Sequence, residues 1–185
     1  MVSSTTEQTT KRTKNGSPAA TSLDDLSRLS AAELQDLYLK GTVPGSLAVF
    51  DGDLVGRMLA VRGLDRGAPF HFLTSFSRSK RFPWAGKSFR STNRDNGTGI
   101  NRLDLGRSGG KHRVFPFETH FGTSVVDDKP AVILDYDLGD NPPMIRAIHD
   151  ELREVAPKLF LGPACVKRGN KPTVVLWFAL DAGAR

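Results

Sequence analysis

The stretch SFRSTNRDNGTGINRLDL, residues 88–105, reads as two short strands joined by a turn. Ser88–Asn93 and Gly99–Leu105 form the arms. Asn96-Gly97 between them is the dipeptide that tolerates the left-handed backbone of a tight hairpin. A hairpin is antiparallel, and the same rhythm continues on both sides of it. Upstream lie Leu54–Arg62 and Phe70–Phe76. Downstream lie Arg113–His120, Ser124–Val126, Ala131–Asp137, Phe160–Lys167 and Thr173–Leu180. Turn residues recur every eight to twelve positions, and Asp127-Asp128-Lys129-Pro130 is one such turn. The spacing predicts a mainly β chain, closed as an antiparallel barrel or stacked as a sandwich. One segment is ambiguous. Met144, Ile145, Ile148, Leu152 and Val155 fall at helical spacing after Asn141 and two prolines, so residues 144–155 read as a helix. Alternation of Ile145 and Ala147 leaves a strand as the other reading.

Ahead of the strands the texture differs. Residues 1–21 are rich in Ser and Thr and nearly free of large apolar side chains, so they are expected to form a disordered tail. Residues 22–41 read as an amphipathic helix, with Leu26, Leu29, Leu34, Leu37 and Tyr38 on one stripe and Gly41 as the stop. Ser22 can cap a first turn, and Ser30 with Glu33 has capping-box spacing. Residues 42–185 are expected to be a single β-barrel domain.

The net charge of +6 is unevenly placed. Residues 54–113 hold thirteen basic and three acidic residues, while residues 22–53 and 114–154 carry net −4 and −6. A basic block from Arg57 to Arg113 can follow a phosphate backbone. Its members are spread over sixty positions, however, with no helix-turn-helix, zinc-finger or RNP pattern. Pairing with the acidic flanks is therefore the expectation, with nucleic acid a lesser alternative. No stretch approaches the roughly 20 apolar residues of a spanning helix. The N-terminus lacks the apolar core of a secretory signal, so a cytoplasmic protein without a membrane span is expected.

Catalytic signatures are sparse. Gly106-Arg107-Ser108-Gly109-Gly110-Lys111 lacks the spacing and the Ser/Thr of a phosphate loop. His71, His112, His120 and His149 show no paired spacing, and one cysteine makes no thiolate cluster, so neither metal nor cofactor is expected. Cys165 sits in an apolar run and reads as a small buried side chain. Asp135 and Asp137 share one strand face, opposite Tyr136; inside a barrel, two neighbouring carboxylates would raise the pKa of one of them enough for it to act as an acid or base. His120, two after Glu118, and His149 are the remaining acid/base candidates.

Three groups of residues resemble a bacterial family of uncharacterised GXWXG-type β-barrels. Gly52-Asp53-Leu54-Val55-Gly56-Arg57 is similar to its G-x-W-x-G-R, with Leu54 in place of the tryptophan. Trp84-Ala85-Gly86-Lys87-Ser88-Phe89 and then Gly99-Ile100-Asn101 resemble its W-x-G-K-x-F and G-x-N. Leu134-Asp135-Tyr136-Asp137, Asp150-Glu151-Leu152-Arg153-Glu154-Val155 and Leu161-Gly162 resemble its Y-D, D-x-F-R-x-V and L-G. The resemblance implies a lipocalin-like barrel with a strand at Asp150–Val155, enclosing one apolar ligand cavity. It carries no settled activity. The expected function is binding of a small hydrophobic or amphipathic molecule such as a fatty acid, isoprenoid or polyketide. Trp84, Phe89, Tyr136 and Trp177 are the wall candidates, Arg57 and Lys87 can meet a carboxylate, and Asn101 is a further ligand contact. The alternative is a cofactor-independent isomerase or cyclase acting in that cavity.

Overall fold

The structure is a computed structural model that describes residues 20–61, 83–167 and 172–184. Among these, eight antiparallel strands close one barrel: β1 (Gly52–Val61), β2 (Trp84–Ser91), β3 (Asn96–Asp104), β4 (Lys111–Thr123), β5 (Pro130–Asp135), β6 (Ile148–Ala156), β7 (Leu159–Val166) and β8 (Thr173–Asp181). Each strand pairs with its neighbours in sequence. Closure comes from β1 against β8, running from Val55 opposite Asp181 to Val61 opposite Leu176 with a one-residue register shift between Met58 and Ala60. The chain is thus mainly β and antiparallel, as its sequence rhythm implies. Of the barrel and sandwich that rhythm allows it forms the barrel, with the lipocalin-like up-and-down order that the resemblance implies. The strand expected at Phe70–Phe76 lies outside the described residues, as does the tail before Ala20.

Three local expectations are corrected. The hairpin turn lies one step before Asn96-Gly97, which are the first residues of β3. Asn93 Oδ1 accepts the N–H groups of Asp95 at 2.9 Å and Asn96 at 2.8 Å, so an Asx-type turn does the reversal. Ser124–Val126 is turn rather than strand. Ser124 accepts the Asp128 N–H at 3.0 Å and the Val126 N–H on its hydroxyl at 3.1 Å. Residues 144–155 are not a helix beyond the single turn Pro143–Arg146; Ile148–Ala156 is strand β6. Ile148 and Leu152 pack in the barrel interior, while Glu151 and Arg153 are also buried, on the outer face. A strand covered on both faces shows no clean alternation, which left the helical spacing as the visible pattern.

The helix expected over residues 22–41 is two helices, α1 (Leu23–Leu26) and α2 (Ala31–Lys40). Both caps form, and the second is what divides them. Ser30 Oγ accepts the Glu33 N–H at 3.3 Å while Glu33 Oε2 accepts the Ser30 N–H at 2.8 Å. Leu26, Leu34 and Tyr38 are fully buried against Leu159, Leu161, Trp177 and Ala179 on the outside of β7 and β8. At roughly 1.5–3 kcal/mol per buried large apolar side chain, this contact binds the helices firmly to the barrel wall. Inside, Phe50 from the short helical turn Leu47–Phe50 packs 5.2 Å from Phe89 and 4.4 Å from Phe160. These rings, with Phe117 and Leu54, fill part of the interior.

Candidate ligand cavity

The remaining part of the interior is a cavity of about 120 Å³. Its apolar wall includes Met58, Leu103, Phe115, Ile145, Val175 and Phe178. Its polar wall is one cluster: Lys87, Asp150, Tyr136, Asn101 and Trp84.

Two backbone irregularities assemble that cluster. In a regular strand, Trp84 and Lys87, three apart, face opposite sides. The β2–β3 register slips between Trp84 and Gly86, pairing Trp84 with Leu103 but Gly86 with Arg102, so both side chains turn inward. Gly86 takes a φ of 121° at this bulge, and a Cβ there would overlap the Leu54 carbonyl. Gly56 makes room for the indole, since a Cβ on it would stand 2.6 Å from the Trp84 ring. The second bulge is at Phe115, which has a φ of 58° and precedes Pro116 in β4. It aims the Phe115 carbonyl at Asn101, whose Nδ2 donates to it at 3.2 Å.

The cluster is tightly bonded. Lys87 Nζ donates to Asp150 Oδ2 at 3.0 Å, to Asn101 Oδ1 at 2.9 Å and to the Tyr136 hydroxyl. Tyr136 donates to Asp150 Oδ2 at 3.0 Å. Trp84 Nε1 donates to Asn101 Oδ1 at 3.0 Å, and Asn101 Nδ2 donates to the Tyr136 oxygen at 3.2 Å. The ammonium also lies 5.1–5.6 Å from the centres of four rings, those of Phe117, Phe178, Tyr136 and Trp84. Ring faces and a carboxylate together stabilise a cation. Burial pulls the Lys87 amine below the usual lysine range, against the opposing pull of Asp150. Burial, and then the Asp150 charge, push the Tyr136 phenol well above its ordinary value. One atom stands apart. Asp150 Oδ1 is buried with no hydrogen-bond partner among the described residues.

The candidate residues read from the sequence divide accordingly. Trp84, Lys87, Asn101 and Tyr136 meet in the cavity wall. Phe89 is interior but belongs to the filled part, against Phe50 and Phe117 at 5.2 and 5.3 Å. Trp177 faces outward and packs on Tyr38 with ring centres 5.5 Å apart. Arg57 pairs with Asp24 of α1, outside the barrel. Asp135 and Asp137 do not form an interior carboxylate pair, because it is Tyr136 between them that points inward. Asp135 pairs with Lys167 at 3.0 Å and Asp137 with Arg146 at 2.7 Å, both partly exposed. His120 pairs in register with Ile133, out of phase with the inward Phe117 and Phe121. His149 lies on the outer face, 3.1 Å from Glu151.

Among the described residues the carboxylate in the cavity wall is Asp150, which helical periodicity had hidden. An acid flanked at ±2 by Ile148 and Leu152 is the signal of a charge on an apolar strand face. Cys165 is buried, and burial raises its thiol far above the reactive range. Part of the basic block pairs locally: Arg102 and Arg113 reach Asp53 at 3.3 and 3.4 Å. Arg78, Lys80 and Arg81 lie outside the described residues. Among those described, no cluster of three or more His, Cys, Asp or Glu is arranged for a metal, and no helix is long and apolar enough to cross a membrane.

No family model matches the chain, and no curated protein matches it. A crystal structure of a protein from Thermomonospora curvata superposes with a TM-score of 0.52 at 19% identity, over 83% of this chain and 87% of that one. That likeness shows a shared barrel fold.

Proposed function

We propose that the barrel binds one small, largely apolar molecule and orients it by the Lys87–Asp150 cluster. The observation that carries this reading is an apolar cavity with a single buried, charge-balanced polar wall, the usual anatomy of a ligand pocket. An engineered apolar cavity of about 150 Å³ accepts benzene, so 120 Å³ suits about one ring rather than a long acyl chain. The motifs that resemble the GXWXG-type proteins supply Trp84, Lys87, Asn101, Tyr136 and Asp150, which supports a kinship centred on this pocket. Intramolecular pairing of Arg57, Arg102 and Arg113 favours this reading over a nucleic-acid surface, and a cytoplasmic setting accords with it.

Two measurements test the proposal. Native mass spectrometry of the gently purified protein should show a bound small molecule. Furan should also bind with millimolar or better affinity by NMR titration, and Ala164→Phe, which fills the cavity from β7, should abolish that binding. Wild-type protein that takes up neither furan nor pyrrole would sink the proposal.

A cofactor-independent isomerase or cyclase is the second reading. It is favoured by the unpartnered Asp150 Oδ1, a carboxylate oxygen available to take a proton. In D₂O the protein should then speed loss of the α-proton signals of cyclopentanone, and Asp150→Asn should stop it. An unaccelerated exchange removes this reading.

A further inference from the structure

We infer that the molecule this cavity takes is a neutral hydrogen-bond donor, an alcohol, phenol or N–H heterocycle that donates to Asp150 Oδ1. The inference rests on the cavity-binding proposal and names the chemistry of its ligand.

A count of donors and acceptors leads to it. Lys87 has three N–H groups, and they go to Asp150, Asn101 and Tyr136. The Trp84 N–H goes to Asn101, the two of Asn101 go to Phe115 and Tyr136, and the Tyr136 O–H goes to Asp150. Every donor of the polar wall is therefore engaged within the wall. Among the described residues a carboxylate or ketone entering the cavity finds no free N–H or O–H donor in that wall, only the weak S–H donor of Cys165, and the Arg57 guanidinium is held outside by Asp24. What the wall leaves unpaired is an acceptor. Asp150 is 4% exposed, lines the cavity, and its Oδ1 has no partner among the described residues. A buried carboxylate oxygen without a donor is costly, and a ligand that supplies one recovers that cost on binding.

Charge narrows the class further. Lys87 and Asp150 sum to zero, so an ammonium or carboxylate ligand would bring an uncompensated ion into an apolar chamber. A neutral donor on a small ring satisfies the oxygen and adds no charge.

Pyrrole and furan make the test, because they match in size and only pyrrole carries an N–H. Dissociation constants are measured by NMR titration for wild type and for Asp150→Asn. In that variant Lys87 and Tyr136 hold the amide oxygen where Oδ2 was, which puts the amide NH₂ in the place of Oδ1. The preference for pyrrole over furan should fall tenfold or more. Taking the ratio of ratios cancels the difference in hydrophobicity between the two rings. If Asp150→Asn does not fold, Asp150→Asn combined with Lys87→Met carries the same comparison without an unpaired ammonium. An unchanged ratio, with both rings still bound, overturns the donor inference and leaves the cavity-binding proposal standing. Absence of binding by either ring to wild type overturns both.

Discussion

Lys87→Met is the substitution with the largest calculable consequence for the fold. Methionine keeps most of the side-chain volume but removes the ammonium. Asp150 Oδ2 then retains only the Tyr136 hydroxyl, and Asn101 Oδ1 only the Trp84 indole. Asp150 is 4% exposed, so bulk water has little access to replace the lost partner. Breaking a buried pair on one side costs about 3–5 kcal/mol, because a charge is left uncompensated. Against a typical domain stability of about 5–15 kcal/mol, that is about a fifth of the total or more. For a chain of this size each kcal/mol moves the melting temperature by about 2–4 °C, so a fall of about 6–20 °C is expected. Urea unfolding of wild type, Lys87→Met, Asp150→Leu and the double variant closes a cycle. The double variant, with an apolar pair in an apolar barrel, should lie within about 1–2 kcal/mol of wild type, since well-packed apolar replacements of buried pairs are often neutral. The coupling between the two sites should then exceed about 2 kcal/mol. A Lys87→Met loss below about 1 kcal/mol, or additive single effects, would refute the claim that the two charges depend on each other.

Acid should weaken the outer wall at Glu151. Burial alone would raise its pKa, but bonds from His149, Ser124, Tyr38 and the Val125 N–H outweigh it and hold the carboxyl below the usual glutamate range. A folded value below the unfolded one contributes stability above about pH 4.3, and that contribution is lost as pH falls through the folded value. The urea midpoint should therefore drop on acidification below that point, and Glu151→Gln should flatten the decline; an equally steep profile in the variant would assign the acid sensitivity elsewhere. Gly86→Ala forces a Cβ onto the Leu54 carbonyl at a φ of 121° and should cost at least about 2 kcal/mol. It should also weaken furan binding, because Trp84 and Lys87 lose their common face. A variant as stable as wild type, with unchanged affinity, would show that the bulge is dispensable.

Much of the barrel was legible because its signals are local. The Ser30 and Glu33 cap, the stripe of Leu26, Leu34 and Tyr38, and the apolar runs Ala131–Leu134 and Thr173–Leu180 each follow from side chains a few positions apart. Strand β6 was misread as helix because both its faces are covered, one by the interior and one by α2. Glu151 and Arg153 are buried there: Tyr38 donates to Glu151 at 2.5 Å, and Arg153 clasps Asp127 with two bonds of 2.7 and 3.0 Å. The same misreading concealed Asp150 and moved attention to Asp135 and Asp137, whose ion pairs lie on the outside.

By itself the sequence determined that the chain is mainly β, antiparallel and preceded by amphipathic helical segments, since patterning and capping act over a few residues. It also placed Trp84, Lys87, Asn101 and Tyr136 among the residues worth testing. Tertiary structure decided that those four converge, and on which carboxylate. Convergence depends on two bulges that change the phase of β2 and β4 by one residue, and on partners as far apart in sequence as Lys87 and Asp150. A one-residue change of phase reverses the direction of every side chain beyond it, and no count of alternating residues along a single strand reports where that change falls.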